Sequence, residues 1–437
     1  MQLRYLTILI IIVLAAGCRK SDYILENNGE TITDDGRGTG TVTWTKGRDY
    51  LLEGFVFVND GQVLTIEAGT VVRFKVGQAE NASALIVARG GKIMAMGTRD
   101  EPIIFTVEGD DLDGSITKDA RGLWGGLILL GNAPINLDGG EASIEGIPFA
   151  EPRGIYGGVR ENDNSGVLRY ISIRHGGTNI GEGNEINGLT LGGVGSETEI
   201  DYVEVISNED DGVEIFGGTV NLKHLVVSGC GDDAFDYDLG WSGNGQFWLG
   251  VQNNIQGDNL LECSGGVDPV IGLPNSLPNI FNVTLVGSGI QNNGNSVVYN
   301  NFAGGLIANS VIIDKSKGVS LEVTDQQHDS YYQWKIGKLG VKNNLFYNVA
   351  EDTPETILKL SGFYTPEMQN EWSASFNTSR NEIKDPKIDK ESGSYVPEEK
   401  IKGDLLQYPL PWFQIVDFKG AFGEDDWIQG WTLLTDE

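Results

Sequence analysis

The sequence predicts an all-β fold, a parallel β-helix with a C-terminal cap, and three observations predict it. Short β-branched runs of strand length are punctuated by Gly, Asn and Asp, and 61 glycines against 13 prolines call for many turns. Equivalent runs recur at intervals in the twenties, a period that marks a solenoid. One motif is copied forward at offsets of 22 and 26 residues: Glu209-Asp210-Asp211-Gly212-Val213-Glu214-Ile215, Gly231-Asp232-Asp233-Ala234-Phe235-Asp236-Tyr237 and Gly257-Asp258-Asn259-Leu260-Leu261-Glu262-Cys263.

Taken in order, residues 1–17 read as a targeting segment, with Arg4 as its positive end and an apolar run from Leu6 to Ala16 too short for a permanent membrane helix. The string Leu14-Ala15-Ala16-Gly17-Cys18 resembles the bacterial lipobox, which implies lipidation of Cys18 and anchoring to a membrane. Arg19 follows the cysteine where an inner-membrane retention signal has Asp, so the expected location is the outer membrane, with the cell surface as the expected face and the periplasmic face as the alternative. Residues 18–41 are polar and read as the lipidated Cys and a tether reaching on the order of 25 Å.

Residues 42–345 form the expected β-helix. Runs at 64–74, 84–88, 103–106, 127–130, 170–174, 200–206, 222–227 and 280–286 have strand length, and no long helical period interrupts them. Asn187-Gly188-Leu189-Thr190-Leu191 and Lys317-Gly318-Val319-Ser320-Leu321 keep the frame of the acidic copies without the acids. A leucine-rich repeat would need fixed Leu columns, and a propeller longer blades; one coil per repeat with corner loops of varying length absorbs the uneven spacing. Alternation then sends Val213, Ile215, Phe235 and Leu261 inward and Glu214, Asp236 and Glu262 outward. Residues 346–437 turn rich in Glu, Lys, Pro and Ser and end in Trp412, Phe413, Trp427 and Trp431. This is the expected cap over the last coil, with a glycan platform as the alternative use of those rings.

The strings Val63-Leu64-Thr65-Ile66-Glu67-Ala68-Gly69-Thr70, Leu85-Ile86-Val87-Ala88-Arg89-Gly90-Gly91-Lys92-Ile93 and Gly122-Leu123-Trp124-Gly125-Gly126-Leu127 resemble the opening coils of extracytoplasmic right-handed β-helix lipoproteins of Bacteroidetes and marine Gram-negative bacteria. The resemblance spans about residues 50–345 with a C-terminal string near Gly420-Ala421-Phe422. It implies the right hand of the helix, the extracytoplasmic location and, from family context alone, a TonB-dependent importer as partner.

Formal charge is −31, which excludes nucleic acid and anionic lipid as partners. Stacked at one residue per coil, about 4.8 Å apart, the acids form columns. Asp210, Asp211, Glu214, Asp232, Asp233, Asp236, Asp258 and Glu262, joined by Asp238, are candidate ligands for Ca2+, a cation that wants six to eight oxygens. The alternative is a solvated acidic face whose corner Asp and Asn residues cap turns.

Gly231-Asp232-Asp233 resembles the paired-Asp motif of β-helix polygalacturonases, but His175-Gly176 precedes it instead of following, and the basic motif of that family is missing. Arg174 and His175, at a strand end, are candidate ligand-binding residues, with a corner hydrogen bond as the other reading of His175. Trp241, Phe247 and Trp248 sit between two acidic copies. They are expected either to stack on a sugar from an exposed loop or to pack back on the coil. Cys230 and Cys263 are open to a disulfide or to a role as small buried residues. The functional expectation is a non-catalytic, lipid-anchored binding or scaffold protein for polysaccharide; the alternative is a calcium-dependent polysaccharide lyase or glycoside hydrolase.

Overall fold

The computed structural model describes residues 31–435 apart from 182–183, 253–256, 268, 290, 292 and 405–409, so the signal segment, Cys18 and most of the tether lie outside the described residues. The fold is a right-handed parallel β-helix. Each coil contributes one strand to each of three sheets, which enclose an apolar lumen.

Among the described residues, the first sheet has ten strands, from Phe55–Val58 to Leu358–Gly362, all parallel. One outward-facing column crosses its centre in strict register: Phe57, Ile86, Ile128, Thr190, Glu214, Asp236, Glu262, Val298, Ser320 and Lys359. The inward positions alternate with it. Val213, Ile215, Phe235, Tyr237, Leu261 and Cys263 all enter the lumen core, as the period of two requires. Parallel pairing starts at Thr31–Ile32 and runs to Glu382–Ile383, so the solenoid exceeds the expected 42–345 at both ends.

The second and third sheets are joined by loops in the first coils, between Val63–Ile66 and Val71–Phe74 for example, and from Gly166–Arg174 onward by a recurring single-residue bend. Gly166–Arg174, Glu199–Ile206, Asn221–Ser228 and Asn244–Val251 each cross it, with Tyr170 (φ 50°), Tyr202 (55°), His224 (49°) and Phe247 (60°) at the bend. Asn282, Asn309 and Asn343 take over in later coils at 54–55°. Asn tolerates this left-handed conformation, whereas bulky rings there are unusual. Stacking offsets the strain: Tyr170 to Tyr202 is 4.4 Å, Tyr202 to His224 is 4.2 Å and His224 to Phe247 is 5.0 Å between ring centres.

The C-terminal region divides into two covers. Three helices, α1 (Ser330–Lys335), α2 (Pro354–Ile357) and α3 (Pro366–Thr378), close the end of the lumen; Trp334 meets Trp372 edge-on at 5.1 Å and Phe376 lies against Phe346. Thr365 caps α3 and Pro366 opens it, a start signal that the weak strand pattern of the sequence conceals. The expectation that Trp412, Phe413, Trp427 and Trp431 cap the last coil is corrected: residues 410–435 run back along the side of the solenoid. Ala421, Phe422, Trp427 and Trp431 seal the outer face of the third sheet over Val226, Leu249, Val286 and Val311. Phe413 packs on Phe281, and Lys223 Nζ lies over the Trp412 ring at 4.3 Å. The rings cover apolar wall that would otherwise meet water.

Candidate functional site

The acidic copies meet where the third sheet turns into the first. Asn187, Asp211, Asp233 and Asn259 stack at that corner, and three of them do the same job. Asp211 Oδ1 accepts the Asp233 amide at 2.8 Å, Asp233 Oδ1 accepts the Asn259 amide at 2.5 Å, and Asn259 Oδ1 accepts the Asn295 amide at 2.9 Å. Each side chain thus satisfies the next coil's N–H. An asparagine does this without charge, so Asp at two successive rungs puts like charges in register where a neutral amide would serve.

The cost is visible in a cleft of ≈ 310 Å³ lined by ten carboxylates: Glu145, Glu185, Asp210, Asp211, Glu214, Asp232, Asp233, Asp236, Asp258 and Glu262. Its lining contains no basic residue. Asp211, Glu214 and Asp233 are buried. Desolvation, followed by repulsion from neighbouring carboxylates, pushes Asp211, Glu214, Asp233 and Asp236 well above the usual carboxylate range, and Asp210 up to about 8. Glu214 faces the carboxyls of Glu145 and Asp236, and Asp210 that of Glu185, close enough for a proton to be shared. Two carboxyl groups bond this way only with a proton between them; a cation is the alternative partner. Asp236 Oδ1 is buried without a hydrogen-bond partner.

Three triads bring one oxygen from each residue within 4.8 Å of the others: Asp210/Asp211/Asp232, Asp211/Glu214/Asp236 and Asp232/Asp233/Asp258. Ligand oxygens at about 2.3 to 2.6 Å from a calcium ion lie at most about 5 Å apart across it, so these spacings fit a divalent ion of that size. An all-oxygen set without imidazole or thiolate favours a hard cation. The donors fit; the residues that would hold it are those of the triads.

Glu145 and Glu185 are absent from the sequence expectation. They arrive on two separate excursions from the coil on either side of the in-register strand Gly166–Arg174: Glu145 beside the short hairpin Ala142–Ser143/Ile155–Tyr156, and Glu185 in the hairpin Asn179–Gly181/Asn184–Glu185. Asn187 Nδ2 ties the first of them in, donating to Glu145 Oε1 and Glu214 Oε2. Asp238 stands outside the cleft lining at the far end of its strand, where Oδ1 accepts the Leu239 amide, and burial pushes it up to about 6.

The ring platform is corrected as well. Trp241 and Trp248 are 0% and 1% exposed, inside the lumen core, and their indole N–H groups donate to Val220 O and Leu222 O, both at 3.0 Å. Phe247 turns outward at the bend and is covered by the C-terminal segment near Phe418. The polar string Ser242-Gly243-Asn244-Gly245 reads as a loop in sequence; its last two residues begin the strand Asn244–Val251, and the lumen takes the indoles. Cys230 and Cys263 are both free and buried, and no disulfide joins them.

Arg174 and His175 lie on the other side of the same corner, outside the cleft. His175 donates from Nδ1 to Ala120 O at 2.6 Å, the corner hydrogen bond, and burial lowers its pKa. Lys315 approaches the cleft from beneath, donating to Gln252 Oε1 and Asp258 O at 2.5 and 2.6 Å, but is 0% exposed and out of a substrate's reach.

A family model described as a pectate-lyase-like beta helix domain matches residues 36–432, most of the chain, and the chain belongs to that family. No curated protein and no solved structure matches it.

Proposed function

We propose that this pectate-lyase-like β-helix protein is a calcium-dependent, polysaccharide-active protein whose acidic cleft engages a uronate-rich chain and hydrolyses it. One observation carries the reading: three overlapping carboxylate triads, each with oxygens within 4.8 Å, in a cleft whose lining has no basic residue. The triad carboxylates would hold the ion, which would supply the missing counter-charge and attraction for a uronate carboxylate. The chain's own residues supply the rest. Glu145, which lines the cleft outside the three triads and whose carboxyl burial pushes above its usual range, is a proton donor for a leaving glycosidic oxygen, and an ionised neighbour activates water. Elimination, by contrast, needs a base at the sugar's acidic proton, and the cleft lining offers no Arg, Lys or His.

Binding without cleavage, as a surface scaffold, is the second reading. It is favoured by the absence of any ring from the cleft lining. Reducing-end release from a panel of uronate-rich and neutral glycans, with calcium and with chelator, separates the two. Calcium-dependent release that is lost in Glu145→Gln supports hydrolysis; calcium-dependent retention on the glycan without release moves the protein to the scaffold reading.

Lipidation at Cys18, outer-membrane placement at the cell surface, the tie to Bacteroidetes and marine lipoproteins and a TonB-dependent importer as partner are parts of the same proposal. Among the described residues, no helix is long and apolar enough to cross a membrane. Cys18→Ser is expected to move the protein from the membrane fraction to the soluble fraction, and unchanged fractionation would remove the anchor from the account.

A further inference from the structure

Across the corner from the acidic cleft, a cavity of ≈ 430 Å³ opens at the end of the third sheet, lined in part by Asp110, Asp113, Lys118, Arg174, His175 and Leu433. Arg174 is 6% exposed. Its Nε donates to Ser172 Oγ at 2.8 Å, Ser172 Oγ donates to Glu204 Oε2 at 2.6 Å, and the Glu204 carboxylate accepts the Leu433 and Leu434 amides at 3.0 and 3.1 Å. This chain of bonds fixes the guanidinium between the third sheet and the C-terminal segment. The terminal nitrogens of Arg174 meet no acceptor among the described residues. They face the cavity, where solvent or a ligand can accept from them, while the buried Glu204 carboxylate balances the charge.

The carboxylates nearby are engaged in their own loop. Asp110 accepts Thr106 Oγ1 at 2.6 Å and the Leu112 amide at 2.9 Å, and Asp113 accepts the Ser115 amide at 2.9 Å. His175 uses Nδ1–H on Ala120 O, which leaves Nε2 as the acceptor of the neutral ring. One cavity therefore offers a planar two-pronged donor suited to a carboxylate and, beside it, an acceptor suited to a hydroxyl.

We propose that this cavity is a binding site for a sugar acid, with the Arg174 fork on the carboxylate and His175 Nε2 accepting a hydrogen bond from a hydroxyl. It requires no cation, and it stands or falls apart from the acidic cleft.

Calorimetric titration in chelator, where a calcium site is silent, tests it with galacturonate, glucose and inorganic phosphate as probes. Galacturonate is expected to bind and glucose not to bind. Arg174→Gln is expected to weaken galacturonate about tenfold or more, since it removes a charge-assisted bidentate pair. Should Arg174→Gln not fold, as judged by its melting curve, Arg174→Lys keeps the charge without the fork and is expected to weaken binding severalfold. Galacturonate binding no better than glucose, phosphate binding more tightly than galacturonate, or wild-type affinity in the folded Arg174 variants would each overturn the assignment.

Discussion

Two side-chain columns run along this solenoid, and they obey opposite physics. At the bend between the second and third sheets, Tyr170, Tyr202, His224 and Phe247 stack ring on ring, and Trp427 and Trp431 close over them edge-on at 5.1 to 6.2 Å. At the corner entering the first sheet, Asp211 and Asp233 stack charge on charge in a cleft of carboxylates. The same one-residue-per-coil repeat produces both. Register alone brings like to like; the side chain decides whether the fold gains or loses. A column that attracts itself can be sealed under the chain's own tail, whereas one that repels itself is kept open for something that neutralises it.

The largest expected effect falls on the ring column. Trp427 donates Nε1–H to Ala421 O at 3.0 Å and stacks on Phe422, so Trp427→Ala is expected to lower stability by about 3 to 5 kcal/mol in denaturant melts, equally with calcium or chelator. Equal loss in both conditions is the point: a calcium-dependent loss would join the two columns and break the comparison. Next comes calcium itself. A site present only in the folded chain is expected to stabilise it by about 2.7 kcal/mol at a hundredfold excess over Kd, read as a rise in Tm that chelator reverses.

The pH dependence of the metal-free protein follows from the direction of the shifts. Folded-state pKa values raised above the unfolded ones mean that the fold holds more protons. Stability is therefore full below about pH 4 and falls as pH rises, through about 6 for Asp238 and about 8 for Asp210. Melts from pH 4 to 8 in chelator are expected to show that fall, and calcium to flatten it. The smallest effect sharpens the comparison most. Asp211→Asn keeps the Oδ1 bond to the Asp233 amide and removes a carboxyl that the metal-free fold must keep protonated against its neighbours, so it is expected to raise metal-free stability at neutral pH by about 1 kcal/mol while weakening calcium. Destabilisation in chelator would mean that the acid column is not self-repelling.

Much of the frame was legible because strand alternation and coil period are written in local residues. Val213, Phe235 and Leu261 face inward as their period requires, and three acidic copies in register place carboxylates one above another. What was not legible depends on chain far away in sequence. Glu145 and Glu185 come from two loops, on either side of the strand Gly166–Arg174, that obey no repeat. Trp241 and Trp248 sit beside polar, Gly-rich residues typical of a loop, and only the space available in the lumen decides that they go inside. The C-terminal tryptophans look like a lid on the last coil, yet the bare apolar wall of the third sheet is what they cover. The ladder role of Asp211 and Asp233 could have been read from Asn187 and Asn259 in the same frame, since an amide at the same position does the same bonding.

On the proposed function, calcium occupies the acidic cleft and protons take its place in the metal-free protein. Calorimetric titration of chelator-treated protein with calcium at pH 7, in two buffers of different ionisation enthalpy, measures both binding and protons released. The account predicts binding that expels at least one proton per ion, with weaker affinity at pH 5. No heat up to millimolar calcium, or binding that releases no protons, would contradict it.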